Sequence, residues 1–440
     1  MDILIGMSIT FFILIYSIFN GIFLGIPLLL GLFIFIFISW KRGFSIKDIM
    51  IMSYIGGKKA FVVLKILVLI GALTAIWMSA GTVPGIVYYG IQFMNPDLFI
   101  LYAFLISSVV SLLLGTSLGT ASTVGLALIV LAKGGNVDTN ITAGAIIAGA
   151  YFGDRCSPMS SSAHLVANIT GTHLYTNIRN MFKSSILPFA LSVILYALIS
   201  IHQPLSFVGS SIDTDIIKTF DTSWIVLIPS FIIIVFSLLR VNVKHSMFFS
   251  ILSASVISLW VQHYSFSEII GYLFLGFHLE PGNPLSSIIQ GGGIISMWKP
   301  SVVILISCAL AGIFEGTGML KTVEDLLIKA RTRSELFSYT AGMSILTAAF
   351  GCSQTISVVL TNQLMAKPYK EKRLDNYELA LDLENTGIVL SALIPWNLAA
   401  FVPTTTMNVS SVGFIPYAFY LYLLPISSFI YLKSTDRQRK

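Results

Sequence analysis

Charge is scarce in this chain of 440 residues. Asp, Glu, Lys and Arg together make up 10%, against about a quarter in soluble domains. Cysteine is scarcer still: Cys156, Cys308 and Cys352 lie far apart, all in apolar segments, and none forms a CxxC pair. A disulfide framework and a zinc site are thereby excluded. No Walker loop with its lysine is present, which removes support for ATP-driven work, and HExxH does not occur. What fills the chain is apolar: 55% hydrophobic residues and a mean hydropathy of +0.87. Such a surface is not tolerated by water, so a cytosolic enzyme, a disordered chain and a secreted disulfide scaffold are ruled out in favour of a polytopic membrane protein. The net charge of +6 reads as basic cytoplasmic loops rather than a nucleic-acid surface. The apolar stretch from Ile9 to Trp40 is too long for a signal-peptide core and has no A-x-A site, so it reads as mature membrane-spanning structure.

About 20 apolar residues cross a bilayer as a helix. Candidate spans are 4–19, 22–40, 61–92, 98–132, 141–167, 182–202, 223–239, 246–262, 299–320, 338–366, 378–405 and 412–432. The 41–59 loop is basic through Lys41, Arg42, Lys47, Lys58 and Lys59, as are 367–377 and the C-terminal tail. Acids dominate 203–222, and 263–298 carries Glu268 and Glu280 with neither Lys nor Arg. This asymmetry places both termini in the cytoplasm of a multi-pass cell-membrane protein. The segment 338–366 has basic loops on both sides, Lys321–Glu335 and Lys367–Asp375, which suits a re-entrant hairpin better than a crossing. The segment 98–132, centred on Gly115-Thr116-Ser117-Leu118-Gly119-Thr120, suggests a second hairpin. Irregular backbone at that depth belongs where protein or a wet cavity surrounds it.

Three short matches recur in order. Gly81-Thr82 returns as Gly316-Thr317, 235 residues on; Gly115-Thr116-Ser117 as Gly351-Cys352-Ser353, 236 on; and Ser157-Pro158 as Ser391-Ala392, 234 on. Near-equal offsets indicate duplication. The predicted fold is all-α, with two inverted repeats, each of about five transmembrane helices plus a re-entrant hairpin, and with broken helices at the midplane. The halves are 1–202 and 223–440, joined by an extracellular linker at 203–222. That architecture points to a secondary transporter.

Two polar interruptions carry the expected chemistry. The first runs from Gly149 through Asp154-Arg155-Cys156-Ser157-Pro158 to Ser160, Ser161, Ser162 and His164. Pro158 removes a backbone donor and frees a carbonyl, and serine hydroxyls with Asp154 are hard oxygen ligands for a small cation. A plain Asp154–Arg155 ion pair at a helix end is the structural alternative. The second interruption holds Asp382, Glu384-Asn385-Thr386-Gly387, Ser391 and Pro395-Trp396-Asn397. Desolvation favours a protonated carboxyl and a bound cation favours the ionised form, so one buried carboxylate can hold H+ or Na+ in turn. The hairpin centres offer Thr116, Ser117, Thr120, Ser353 and Thr355 as ion ligands, or else close helix packing through small residues. Glu315 is a lone acid in an apolar span whose counterpart, Ala80, carries no charge; proton carriage and a structural hydrogen bond both fit it. His164 fits a proton relay or a satisfied polar contact. A Ser160–His164–Asp154 triad arises too readily in a polar stretch to make the chain an enzyme.

Ile70-Gly71-Ala72-Leu73, Gly81-Thr82-Val83-Pro84, Tyr88-Tyr89-Gly90, the Gly115–Thr120 centre, Gly153-Asp154 with Ser157-Pro158, Glu315 with Thr317-Gly318-Met319-Leu320, and Leu393-Ile394-Pro395-Trp396-Asn397 resemble the NhaC family of Na+/H+ antiporters. The resemblance spans roughly 60–400. It implies Na+-linked antiport, no cofactor beyond the transported Na+ and H+, and ion sites at hairpin tips and helix breaks. The site set it suggests is Thr116, Ser117, Thr120, Asp154, Ser157, Ser353, Thr355, Glu384, Asn385, Thr386 and Asn397, with Asp154, Glu384 and Glu315 as proton carriers. Some relatives exchange organic acids and others are thought to carry amino acids, so a Na+- or H+-coupled carrier of a small organic anion or amino acid is the second reading; an ion channel is a third. Expected partners are the lipid bilayer and these solutes, with a homodimer open beside the monomer. The chain departs from the family pattern at Ser161 and His164, where an acid and an amide are usual, and at Asn385, where the family has the second acid of a Glu-Asp pair. With fewer acids left, Asp154 is expected to bear more of the charge change.

Overall fold

The computed structural model describes residues 2–206, 212–319 and 330–438. Leu320, much of the Lys321–Glu335 loop and part of the 203–222 linker lie outside them. Among the described residues every regular element is helical, apart from one isolated bridge between Phe277 and Gly291.

α1 (Asp2–Phe19) and α2 (Gly25–Lys41) are separated at the turn marked by Asn20-Gly21. α3 (Ile46–Ser79) begins at an N-cap, with Ser45 accepting from the Asp48 amide, and runs 34 residues. At about 1.5 Å per residue it is longer than a ~30 Å hydrocarbon core. The predicted 61–92 span therefore starts earlier and breaks at Ala80-Gly81 before α4 (Thr82–Phe93). α5 (Phe99–Leu114) and α6 (Ser117–Gly134) form the first helical hairpin, and Ala121–Gly125 of α6 is a π turn. The hairpin's outer ends lie together, because Leu205 N donates to Pro96 O at 3.0 Å and Ser206 N to Gly135 O at 2.8 Å. α7 (Thr139–Cys156) and α8 (Ser161–Thr170) are one span broken at Ser157–Ser160. α9 (Leu174–His202) closes this half.

α10 (Ile212–Thr219), α11 (Ile228–Leu238), α12 (Val243–Trp260), α13 (Phe266–Leu275) and α14 (Trp298–Thr317) follow. α15 (Arg333–Gly351) and α16 (Gln354–Glu371) make the second hairpin. α17 (Asn376–Leu383) continues through a π turn at Glu384–Ile388 to Ser391. After a break it resumes as α18 (Leu398–Thr406), and α19 (Phe419–Gln438) ends the described chain. Among the described residues six helices are long and apolar enough to cross a membrane, or seven if the pair bent by 96° at Asp213–Leu238 counts as one span. Fewer pass than the sequence predicts because the breaks at Ser157-Pro158 and Pro395 and the hairpin tip at Cys352 divide long runs, because α1 and α2 are short, and because α19 runs into a charged tail. Phe12, Phe19, Ile186 and Trp260 stand exposed on the outside, a surface suited to lipid.

Backbone landmarks recur at one constant spacing. Gly81 and Gly318 are left-handed, as are Gly115 and Cys352. Thr116 and Ser353 are extended N-caps following the hairpin turns. Asp138 and Asp375 cap α7 and α17, and Ser160 and Asn397 cap α8 and α18. Each pair is 237 residues apart. The sequence matches fall one to three residues short, since they follow glycine: Gly115 aligns with Gly351, whereas the left-handed turn falls on Cys352. Gly115 is required at its own turn (φ +67°), where an added Cβ would lie 2.5 Å from the Met159 carbonyl carbon.

The two broken helices run in opposite directions. Past the end of α8, His173 N donates to Tyr377 Oη at the start of α17, 3.3 Å away. Beyond the end of α18, Gly413 sits so close to Asn140, at the start of α7, that a Cβ would meet its side chain at 2.3 Å. α7 lies against α5, with Gly153 packed on Ser111 and Leu112 so tightly that no Cβ fits, the small-residue packing expected in a bilayer.

Candidate functional site

Each hairpin tip meets a helix break. In the first half, Gly115 abuts Met159-Ser160. In the second, Leu398 N donates to Cys352 O at 2.9 Å, Trp396 Nε1 to Ala349 O at 2.7 Å and Asn397 Nδ2 to Ala348 O at 2.8 Å. The prolines and serines that stop these helices thus leave polar side chains at the centre of the bundle, facing the tips.

Asp154, in the last turn of α7, is buried. Its carboxylate accepts from Ser117 Oγ at 3.0 Å, Ser160 Oγ at 2.9 Å and Ser162 Oγ at 3.3 Å. Ser117 comes from the hairpin and the other two from beyond the break, so the acid gathers three hydroxyls from two elements. Thr116 caps α6 through the Gly119 amide, and Thr120 donates back to Thr116 O at 2.9 Å. Ser157 is buried and accepts from Met159 N at 3.1 Å.

Arg155 points away from Asp154, and the plain ion pair between them does not form. Its buried guanidinium donates to Ser184 Oγ at 2.8 Å, to Tyr420 Oη at 3.0 Å, and to Ser185 Oγ and Asn385 Oδ1. Among the described residues no carboxylate lies within 4 Å of it. It ties α7, α9, α17 and α19 together through neutral groups. Asn385 is held on its other side by Nδ2 donating to Ser428 Oγ at 3.0 Å.

Glu384 begins the π turn after α17. Its side chain is fully buried, and among the described residues neither carboxylate oxygen has a hydrogen-bond partner. Asp154 and Arg155 are within Coulombic reach of it. A buried carboxylate without donors persists only if a proton neutralises it or a cation stands beside it. A cavity of about 490 Å³, whose lining includes Lys183, Ser184, Arg333, Asp382 and Asn385, reaches the groups that hold Arg155. Neither Glu384 nor Asp154 lines this cavity; a buried carboxylate of this kind is chemically able to hold a proton or a small cation.

Residues 149–434, which contain both breaks and the second hairpin, match the model of the Na+/H+ antiporter family. The chain belongs to that family. Antiporters of this family are transporters, not enzymes. Its relatives include the malate-2H+/Na+-lactate antiporter of Bacillus subtilis, 29% identical over 90% of this chain and 87% of the relative. The Na+/H+ antiporter NhaC of Alkalihalophilus pseudofirmus is 28% identical over 83% and 80%. The arginine/ornithine antiporter ArcD of Halobacterium salinarum is 28% identical over 82% and 76%.

Other expected site residues of this antiporter fall into different roles. Thr386 donates to Asp382 O at 2.6 Å and meets Ser344 at 3.0 Å, beside the cluster. Asn397 is spent on capping α18 and bonding the second tip. Ser353 is half-buried at that tip, and Thr355 is exposed. Glu315 lies outside the cluster, ion-paired with Lys59 at 2.6 Å. Asp382 is also structural in its contacts: Arg333 stands 2.7 Å from it, and Tyr369 donates to it. Ser161 is exposed, and His164 is exposed with Nε2 3.1 Å from Pro158 O. Sequence reasoning missed Ser160 and Ser162 as partners of Asp154, and Ser184, Ser185 and Tyr420 as the holders of Arg155. The first pair lay inside the flagged run. Ser184-Ser185 interrupts the apolar pattern of α9, a weak signal.

Proposed function

We propose that this chain exchanges Na+ for H+ across the cell membrane by alternating access, with Glu384 as the group that holds a proton in one state and faces Na+ in the other. The observation that carries the reading is the buried carboxylate of Glu384, unpartnered among the described residues. Asp154 and its serines supply oxygen ligands of the hard type that Na+ takes. Membership of the antiporter family supports the same chemistry. Landmarks at a fixed spacing of 237 and oppositely directed broken helices support an inverted repeat, with the hairpins re-entrant and both termini cytoplasmic.

Protein in liposomes with an internal pH dye tests the exchange. Pulses of Na+, Li+ and K+ are given with and without malate, lactate or arginine. A Na+-evoked internal pH change without organic solute is the expected result. Silence until a solute is added overturns it in favour of coupled solute exchange, which the relatives named for malate, lactate and arginine support. Cysteines at Ser45 and Ser267 test the topology: they are expected to label from opposite faces, and labelling from one face ends the inverted-repeat reading.

A further inference from the structure

A second cavity, of about 510 Å³, lies away from the carboxylate cluster. It is bounded by the C-terminal turns of α6 and α18, by α3 at Thr74 and Met78, and by the glycine-rich segment between α13 and α14. That segment is pinned to α3, since Gly293 N donates to Gly71 O at 2.7 Å. Phe277 and Gly291 exchange both backbone hydrogen bonds at 2.9 Å. The cavity wall is therefore built by backbone pairing rather than left to a loose loop.

Its charge is one-sided. Lys133, in the last turn of α6, is half-buried in the wall, with no carboxylate within 4 Å and no hydrogen-bond partner among the described residues. No Asp or Glu lines this cavity, whereas the other one holds Glu378 and Asp382. Gln290 and Asn408 add amide donors, and His278 adds a ring nitrogen. The rest of the wall mixes apolar side chains such as Leu126, Ile129, Phe277 and Ile288 with the hydroxyls of Thr74, Ser296, Thr405 and Thr406. A partly desolvated ammonium without a counter-ion attracts an anionic group. The volume, with apolar side chains and hydroxyls sharing the wall, gives room for a carbon skeleton that bears polar groups, which a bare inorganic anion would leave unfilled.

We propose that this cavity is a binding site for a small organic carboxylate, with Lys133 pairing its carboxylate and the Gln290 and Asn408 amides fixing its orientation. The site is separate from Glu384 and Asp154 and does not require that Na+/H+ exchange be correct.

Calorimetric titration of the purified full-length chain tests it, with malate, lactate, sulfate and phosphate as probes, each against wild type, K133Q and K133R. Loss of a charge-assisted contact weakens binding by about tenfold or more, so malate or lactate is expected to bind wild type and K133R and to weaken at least tenfold with K133Q. Sulfate and phosphate are expected to bind more weakly than either organic acid. Equal organic-acid binding by wild type and K133Q, or no binding by wild type, overturns the proposal. Tighter binding of sulfate or phosphate overturns the assignment to an organic ligand. Thermal unfolding of all three proteins checks folding, and a K133Q protein that fails it is replaced by Q290A with N408A under the same criteria. Na+-evoked pH change, measured in parallel, is expected to persist in K133Q, which separates failure here from failure of the antiport reading.

Discussion

The two helix breaks share a backbone and differ in chemistry. Both follow a capped helix, both stop near a hairpin tip, and their caps are 237 residues apart. Yet Asp154 at the first is surrounded by three hydroxyls, while Glu384, in the π turn that precedes the second, has no hydrogen-bond partner among the described residues. A carboxylate already supplied with donors tolerates burial as an anion, whereas a bare one needs a proton or a cation. Two helix breaks of similar backbone thus carry different side chains, and on the proposed function those side chains make Glu384 the switching group and Asp154 a prearranged ligand.

The sharpest way to break this contrast is Glu384→Gln, which keeps size and removes titration. Na+-evoked pH change in liposomes is expected to vanish while the protein reaches the membrane at normal level. Wild-type flux with unchanged pH dependence would remove Glu384 from the exchange. Asp154→Asn is expected to do less. Weakened ionic contacts of this kind cost about 1.5–3 kcal/mol, so the apparent Na+ affinity falls about tenfold or more, with flux recovered at high Na+. Abolition by Asp154→Asn alongside activity in Glu384→Gln would reverse the two roles, restoring the weight that the sequence alone gives Asp154.

Cysteines at Thr116 and Ser353 compare the tips directly. Both are expected to react with small polar thiol reagents, and Na+ is expected to slow Thr116→Cys more, because its neighbour Ser117 bonds Asp154. Inertness of both, or indifference to ions, would favour packing over transport as the reason for small residues there. The smallest effect is expected from Glu315→Gln. Its pair with Lys59 is about half exposed on both sides, and such pairs contribute under about 1 kcal/mol. Exchange is therefore expected to stay near wild type, and a large loss of flux would return Glu315 to the list of proton carriers.

Local chemistry made much of this legible. Pro158 and Pro395 stand at the breaks and Gly115 tolerates a left-handed turn, so breaks and the first tip have a signal in residue type, although Pro188, Pro368, Pro403 and Pro425 sit inside continuous helices. The second tip is off by one because Cys352 takes the left-handed position with no glycine to mark it. Glu315 and Glu384 look alike in sequence, each an acid in an apolar run. Only the fold brings Lys59 to one and leaves the other bare, across 256 residues of chain in the first case.

The sequence by itself determined that this is a polytopic helical membrane protein with two polar interruptions, because hydropathy and helix-breaking residues act locally and backbone groups in lipid must bond within the helix. The tertiary structure alone decided which acid is paired, which is surrounded by hydroxyls and which stands alone. Partnership at depth depends on which helices pack together, and residues such as Ser117, Ser160, Ser184 and Tyr420 reach their partners only after the hairpins and broken helices have closed around them.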